Sequence, residues 1–168
     1  MGGLFTKIGK SAAGEYEGEW NAAGVREGRG VMRYVNGNVY DGEWKAGNPW
    51  GRGVLRYANG DVYDGEFKAG LREGRGVMRL ANGNVYDGEW KAGEREGRGV
   101  FRLANGIVVS GFYKQGADVG EAVKWMADGW RAARLRDGKG VELISLEEAR
   151  QTVERLGLPL PSPLPGAA

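Results

Sequence analysis

The sequence contains neither cysteine nor histidine among its 168 residues. Without cysteine it has no disulfide framework and no thiolate metal site. Without histidine it lacks the commonest general base and the commonest transition-metal ligand. The serines, at positions 11, 110, 145 and 162, have no imidazole to activate them. We therefore expect no catalytic residue, no metal site and no cofactor, and the protein is predicted not to be an enzyme.

Concentrated charge and long apolar runs are also missing. The 24 basic and 22 acidic side chains are interspersed and leave a net charge of only +2. Nucleic-acid binders usually cluster their basic residues, so we expect no nucleic-acid partner. No apolar run approaches the roughly 20 residues of a membrane-spanning helix. Nothing in the sequence indicates a small-molecule substrate.

Proline is scarce and glycine is abundant, with 5 and 32 residues respectively. Collagen would need a Gly-X-Y period with much more proline. Disorder fits poorly with six Trp, seven Tyr and four Phe spread along the chain. Glycine and aromatic residues together indicate tight turns with flat side chains between them.

An internal repeat is the main feature of the sequence. Tyr-Asp-Gly-Glu-Trp at 40–44 recurs as Tyr-Asp-Gly-Glu-Phe at 63–67 and Tyr-Asp-Gly-Glu-Trp at 86–90. An earlier copy is Tyr-Glu-Gly-Glu-Trp at 16–20, and a decayed fifth copy is Val-Ser-Gly-Phe-Tyr at 109–113. Gly-Arg-Gly and Asn-Gly recur between the copies. About five 23-residue repeats therefore form an array over 15–116.

Each repeat is predicted to be a β-hairpin. Residues 52–57 and 62–67 alternate as strands do, and Asn59-Gly60 between them is a strong turn signal. A three-residue turn pairs Leu55 with Tyr63 and puts Gly60 in the left-handed conformation of a bulge. The longer, polar stretch 68–74 is expected to connect one hairpin to the next. The fold class is mainly β, a single-layer twisted antiparallel sheet.

This register separates the side chains of the sheet into two faces. One face carries the aromatic residues, and the other pairs Arg52 and Arg56 with Asp64 and Glu66. A single sheet leaves its aromatic face without a second layer, so a partner, a second copy or curling must cover it. The predicted partner-binding residues are the rings of that face: Tyr16, Trp20, Tyr40, Trp44, Tyr57, Tyr63, Phe67, Tyr86 and Trp90.

The repeats resemble those of the MORN (membrane occupation and recognition nexus) family. The family signature Tyr-x-Gly-x-Trp-x-x-Gly, followed by Gly-x-Gly, is nearly intact from Tyr40, Tyr63 and Tyr86. The resemblance implies a MORN solenoid that serves as a scaffold or interaction module, with dimerisation through the array. Acidic phospholipid binding has been proposed for the family. Here Glu27, Glu73 and Glu96 stand where the family often has His or Asn, which weakens a phosphate-binding interpretation of those loops.

The favoured function is a non-catalytic structural or scaffold module, an assembly subunit that binds protein partners or itself through the aromatic face. The alternative is a peripheral membrane adaptor that binds acidic phospholipid. Residues 1–14 are expected to be a flexible N-terminus, in which Gly2 with Thr6 fits a myristoylation pattern. Balanced charge makes the membrane alternative the weaker one. We expect an intracellular, cytoplasmic location, with membrane or cytoskeleton association open.

A cap is predicted after the array, over 117–157. Residues 121–127 and 130–136 are interpreted as a hairpin around Asp128-Gly129. Ser145 and Glu148 form a capping box, which begins a helix over 145–156 that Gly157 ends. Leu146, Ala149, Val153 and Leu156 make its apolar stripe. The Pro-rich tail 158–168 is expected to be extended and solvated.

Overall fold

The structure is a computed structural model, and it describes residues 3–164. The chain divides into two compact units, residues 1–81 (unit 1) and 82–168 (unit 2). Within each unit the strands are antiparallel and pair in chain order. Among residues 3–164, no helix is both long and apolar enough to cross a membrane. Gly2, the predicted lipidation site, lies outside the described residues.

Unit 1 is an open sheet of hairpins. Its strands are β1 (Phe5–Ser11), β2 (Gly14–Trp20), β3 (Arg26–Tyr34), β4 (Val39–Lys45), β5 (Asn48–Arg56), β6 (Val62–Lys68) and β7 (Leu71–Arg79).

Unit 2 continues the hairpin pattern and adds one helix. Its elements are β8 (Val85–Lys91), β9 (Glu94–Arg102), β10 (Val108–Lys114), β11 (Ala117–Trp125), β12 (Ala132–Arg136), β13 (Lys139–Ile144) and α1 (Leu146–Leu156). The predicted fold class, tandem antiparallel hairpins with a small C-terminal cap, is confirmed.

The predicted register of the hairpin is confirmed. Leu55 faces Tyr63 across β5 and β6. The Tyr57 amide donates to the Asp61 carbonyl at 2.9 Å, which closes a three-residue turn. Gly60 adopts φ 93°, the left-handed conformation that glycine tolerates best. This register keeps aromatic and charged side chains on opposite faces.

The connection between hairpins is tighter than expected. Instead of a long polar stretch over 68–74, Lys68 pairs directly with Leu71 around a two-residue turn. Ala69 and Gly70 both have positive φ, 49° and 84°, as a type I′ turn requires. Residues 73–75 stand opposite the single residue Glu66 in a bulge of β7, where the Arg75 amide donates to Glu66 Oε1 at 3.0 Å. Alanine at the first turn position concealed this turn in the sequence.

The N-terminal segment also differs from the prediction of a flexible 1–14. Residues 5–11 form β1, which pairs with β2 from Phe5 opposite Trp20 to Ser11 opposite Gly14. The pairing satisfies backbone groups of β2 that would otherwise form an edge. Gly9 allows the Trp20 ring to lie against β1, since a Cβ at Gly9 would be 2.6 Å from the indole. Trp20 Nε1 donates to the Lys7 carbonyl at 3.1 Å.

The cap is organised by α1 on one face of unit 2. The Ser145 side chain accepts a bond from the Glu148 amide, and Glu148 reaches back to the Ser145 amide, which confirms the capping box. Gly157 ends the helix with φ 63°. Ala149 and Val153 pack against Val123 and Trp125 of the sheet.

The beginning of the tail is packed rather than solvated. Leu158 and Pro161 are buried, and the fully buried Ser110 donates to the Pro159 carbonyl at 2.7 Å. Arg102 donates to the carbonyls of Ser162 and Pro163 at 2.8 and 2.9 Å. These contacts correct the expectation of an exposed tail for residues 158–164, because the sheet supplies donors for its carbonyl groups.

Candidate functional site

The tyrosines of unit 1 pack between rings of successive repeats. Tyr40 makes edge-on contacts with Trp44 at 5.2 Å and with Phe67, one repeat further on, at 5.0 Å between ring centroids. Edge-to-face geometry is favourable for aromatic rings. We call these rows the ring ladder. It contains Tyr16, Trp20, Tyr40, Trp44, Tyr63 and Phe67 in unit 1, and Tyr86, Trp90 and Tyr113 in unit 2.

Each tyrosine of the repeat signature lies over a pair of glycines on adjacent strands. A Cβ at Gly53 would lie 2.5 Å from the Tyr40 hydroxyl, and one at Gly42 would lie 2.6 Å from it. The hydroxyl donates to the Glu43 carbonyl at 2.8 Å. The glycines of the signature are therefore the floor on which the phenol lies.

Arginine side chains cover the ladder from the solvent side. The guanidinium carbon of Arg26 lies 4.6 Å from the Trp44 ring centroid in unit 1. In unit 2 the corresponding arginine is Arg95, which lies 4.8 Å from the Tyr113 centroid. Guanidinium groups at such distances are attracted to the ring faces. Arg26, Arg72 and Arg95 thus cover rings of the ladder, whereas the same position of the second repeat is Pro49.

The nine predicted partner-binding residues lie on the aromatic face of their own unit's sheet. Trp20 and Tyr57 are half-buried. The other seven are buried: Tyr16, Tyr40, Trp44, Tyr63, Phe67, Tyr86 and Trp90. Their packing partners in the structure are other parts of this chain, and their role in binding a partner stays a prediction.

Burial also determines the ionisation of the phenols. Desolvation raises the pKa of Tyr16 from 10.0 to about 12. It raises the pKa of Tyr40, Tyr63, Tyr86 and Tyr113 further still. These phenols are neutral hydrogen-bond donors over the physiological pH range.

The ladder changes at the fifth repeat, in unit 2. One repeat after Tyr86 stands Val109, and one repeat after Gly99 stands Ala122. A Cβ at Gly111 would lie 2.8 Å from the Ala122 methyl, so that methyl occupies the floor on which a phenol would lie. Tyr113 keeps its edge-on contact with Tyr86 at 5.0 Å. The tyrosine position of this repeat is left without a ring.

Two further replacements accompany the missing ring. One repeat after Arg95 the chain has Asp118 in place of an arginine. One repeat after Phe101 it has Lys124 in place of an apolar residue. Lys124 lies directly opposite Val109 in the β10–β11 register. It is half-buried and makes no ion pair with any residue between 3 and 164.

A groove of about 410 Å³ lies where these replacements occur. We call it the fifth-repeat groove. Its apolar lining includes Phe101, Leu103, Ile107, Val109, Met126 and Leu135, and its charged lining is Arg95, Asp118 and Lys124. Sequence reasoning identified the fifth copy as decayed but did not recognise it as a site. The signal was the simultaneous loss of the tyrosine and its glycine.

The opposite face of this region is closed by α1 and the tail. Val123, Trp125, Ala132, Ala149, Val153 and Leu158 form one buried cluster there. The groove is therefore confined to the aromatic face of unit 2. In the described part of the chain, no group of three or more acidic side chains is placed to hold a metal ion.

Hairpins in tandem, with a tyrosine lying over paired glycines in each repeat, define a β-repeat protein. The MORN repeat profile matches four consecutive stretches, residues 16–39, 40–62, 63–85 and 86–108, which together exceed half of the chain. The chain belongs to the MORN repeat family. MORN repeats are non-enzymatic modules that interact with proteins or membranes. The matched region ends at residue 108, immediately before the altered fifth copy.

Comparison with other proteins adds little beyond the family. No curated protein matches this chain. A solved structure, the "SAS-4 (dCPAP) TCP domain in complex with a Proline Rich Motif of Ana2 (dSTIL) of Drosophila Melanogaster", is similar with 14% identity and a TM-score of 0.47. The similarity covers 80% of this chain and 80% of that chain.

Proposed function

We propose that this protein is a non-catalytic interaction module that binds a protein segment through the fifth-repeat groove. The observation that carries the proposal is the interruption of the ring ladder at Val109, which leaves an apolar groove of about 410 Å³. Concave sites of this size, with apolar walls and few polar groups, commonly bind ligands.

The regular part of the aromatic face is a poorer binding surface. Tyr40 and Tyr63 have no exposed surface, Arg26 lies over the Trp44 ring, and Arg72 lies over the Tyr63 ring. A partner would reach the rings only by displacing their own contacts. The groove instead presents apolar side chains that nothing described in unit 2 covers, and that surface gains most when a partner removes it from water.

The hydrogen bonds that the polar side chains make within the sheet support a non-catalytic function. The phenols of the ladder are neutral and donate to backbone carbonyls, as Tyr63 does to Glu66 at 2.9 Å. The repeat glutamates accept backbone amides, as Glu43 does from Arg52 at 3.1 Å. Groups held in this way support the sheet, and the chain has no histidine or cysteine to add.

The loop glutamates also favour a protein ligand over a phosphate headgroup. Glu27 Oε2 accepts the Ala46 amide at 3.1 Å, and Glu96 Oε2 accepts the Gln115 amide at 2.9 Å. The turn amides to which a bound anion would have to bond already donate to these carboxylates. Lipid attachment through Gly2 stays a prediction.

A photo-cross-linking experiment in cells tests this function. Lys124 at the groove is replaced by p-benzoylphenylalanine, and the matched control carries the same residue at Val35, which is 77% exposed in unit 1. We expect protein cross-links from the groove position that the Val35 position does not give. They should disappear when the groove is filled by Val109→Tyr with Ala122→Gly. Equal products from both positions, or products that persist in the filled variant, would contradict the proposal.

A further inference from the structure

The packed tail of unit 2 shows what one arginine of the repeat binds. Arg102 donates from Nη1 to the Pro163 carbonyl at 2.9 Å and from Nη2 to the Ser162 carbonyl at 2.8 Å. The segment that it holds has proline at positions 159, 161 and 163. Because proline has no amide hydrogen, such a segment offers carbonyl acceptors with few donors of its own. A guanidinium, which has five donors and no acceptor, is therefore complementary to it.

The same arginine recurs in unit 1 without a partner. Arg33, Arg56 and Arg79 precede Arg102 at intervals of 23 residues, and all three are exposed. Among residues 3–164, their side chains make no hydrogen bond and no ion pair. The donors that bind the tail in unit 2 thus face solvent in unit 1.

Valines alternate with these arginines across the sheet of unit 1. Val39 lies opposite Arg33 on one side and opposite Arg56 on the other. Val62 lies in the same way between Arg56 and Arg79. Directly opposed residues of antiparallel strands point to the same face, which here is the solvated one. We call this set the arginine–valine row: Arg33, Val39, Arg56, Val62 and Arg79.

The spacing of the row matches an extended Pro-rich chain that crosses the strands. Neighbouring strands lie about 4.7–4.9 Å apart, so the arginines recur about every 9.4–9.8 Å. A polyproline II helix has three residues per turn and rises about 3.1 Å per residue, which gives about 9.3 Å per turn. Each turn therefore brings carbonyl groups to one arginine and a proline ring to one valine. The long arginine side chains accommodate the twist between strands.

We propose that the arginine–valine row binds a Pro-rich segment of a partner protein in the polyproline II conformation. The guanidinium groups bond its carbonyls, as Arg102 bonds those of Ser162 and Pro163, and proline rings cover Val39 and Val62. The row belongs to unit 1 and the fifth-repeat groove to unit 2, so this is a second site that does not rest on the proposed function.

A nuclear magnetic resonance titration of the full chain with a nine-proline peptide tests the proposal. We expect saturable shifts of the side-chain Nε–H signals of Arg33, Arg56 and Arg79. A Gly-Ser peptide of the same length should give none, because a flexible chain loses more entropy on binding than a preformed polyproline helix. No saturable binding of the nine-proline peptide, or equal shifts with the Gly-Ser peptide, would overturn the proposal.

Two arginines of β5 provide matched variants. Arg52 and Arg56 are both exposed on the solvated face, but only Arg56 belongs to the row. Arg56→Gln should raise the Kd of the nine-proline peptide about tenfold, through the loss of charge-assisted hydrogen bonds. Arg52→Gln removes the same charge and should leave the Kd unchanged. Equal effects of the two changes would contradict recognition by the row, and equal urea unfolding midpoints establish that both variants stay folded.

The length of the peptide tests the spacing. Three prolines span one arginine of the row, whereas nine prolines span all three. The longer peptide should therefore bind the wild type at least about 30-fold more tightly. Arg56→Gln should weaken the nine-proline peptide much more than the three-proline peptide, which still has Arg33 and Arg79. Equal affinities of the two peptides for the wild type would contradict a row of regularly spaced contacts.

Two further titrations distinguish other occupants and other sites. A nine-glutamate peptide that binds more tightly than nine prolines at about 0.15 M salt would make the row an anion site and overturn the proposal. The filled variant Val109→Tyr/Ala122→Gly should bind the nine-proline peptide as the wild type does. Loss of binding in that variant would place the peptide in the fifth-repeat groove, which would support the proposed function and overturn this inference.

Discussion

Unit 1 and the C-terminal part of unit 2 bury opposite faces of the same kind of sheet. In unit 1 the aromatic face carries the buried rings of the ladder, and the other face, with Arg52 and Glu66, is solvated. In unit 2, from β10 onward, the aromatic face opens into the groove, and the other face is covered by α1 and the tail. In a single-layer sheet, the face that is covered can thus change from one repeat to the next.

The decayed fifth copy contains the residues that change the covered side. The solvated positions Asp87 and Glu89 become Ser110 and Phe112 one repeat later, which makes that face suitable for burial. In the same copy the ring position becomes Val109. The loss of a ring on one face and the gain of apolar surface on the other are therefore parts of one change, and the open groove is its consequence.

The largest effect should come from alkaline pH, which acts wherever the ladder is regular. Burial raises the pKa of Tyr16 to about 12, and those of Tyr40, Tyr63, Tyr86 and Tyr113 are raised as well. The unfolded chain releases these protons near pH 10, so the contribution of the buried phenols to stability should be fully present below pH 10 and should decrease as the pH rises above 10. Tyrosinate absorbance should appear together with the loss of circular dichroism. Ionisation of these phenols in a chain that stays folded would contradict their burial.

Truncation to alanine at the same repeat position compares how well the two regions are packed. Tyr40→Ala should cost about 3–5 kcal/mol, because a fully buried ring and its two edge-on contacts are lost. Val109→Ala, at the same repeat position but half-exposed in the groove, should cost about 1 kcal/mol. Urea unfolding measures both. Equal losses would mean that the fifth repeat is as well filled as the others.

Replacement of a glycine by alanine should destabilise the sheet only where a tyrosine ring lies over that glycine. Gly53→Ala puts a methyl group 2.5 Å from the Tyr40 hydroxyl and should cost about 3 kcal/mol through overpacking. A Cβ at Gly140 would meet no described atom within 4 Å, and Gly140→Ala should be neutral or slightly stabilising. Thermal unfolding of the pair is the check. A tolerated alanine at position 53 would refute the close contact between phenol and glycine.

The cover of the opposite face depends on a smaller contact. Ser110→Ala removes the 2.7 Å bond to Pro159 and leaves a carbonyl unsatisfied, at a cost of about 1–2 kcal/mol. Hydrogen exchange should show faster exchange in α1 and the tail, while unit 1 is unchanged. Uniform acceleration across the whole chain would argue against a local role.

The regular part of the fold was predictable because its signals are local and repeated. Asn59-Gly60 fixes one turn, and the alternation around it fixes the register. Ser145 with Glu148 fixes the start of α1. The turns at Ala69-Gly70 were missed because alanine is unusual in the left-handed conformation that it adopts there.

The candidate site was harder to predict because it arises from what the repeat loses. Val109 and Ala122 are ordinary strand residues on their own. They indicate an unfilled position only by comparison with the other repeats, in each of which a tyrosine ring packs over two strands. The strand β1 was missed since Phe5–Ser11 carries no repeat signature. The packing of the tail depends on Arg102 and Ser110, which are distant in sequence.

A double-mutant cycle of Val109→Tyr and Ala122→Gly, followed by urea unfolding, tests the central claim that the groove is an unfilled ring position. Val109→Tyr alone should destabilise by about 1–3 kcal/mol, since the ring meets the Ala122 methyl. Ala122→Gly alone should cost about 1 kcal/mol. Together they should rebuild the ladder, with a stability at least equal to that of the wild type and a coupling of about 2 kcal/mol or more. Additive losses in the double variant would show that the ladder cannot be completed there and would contradict the account.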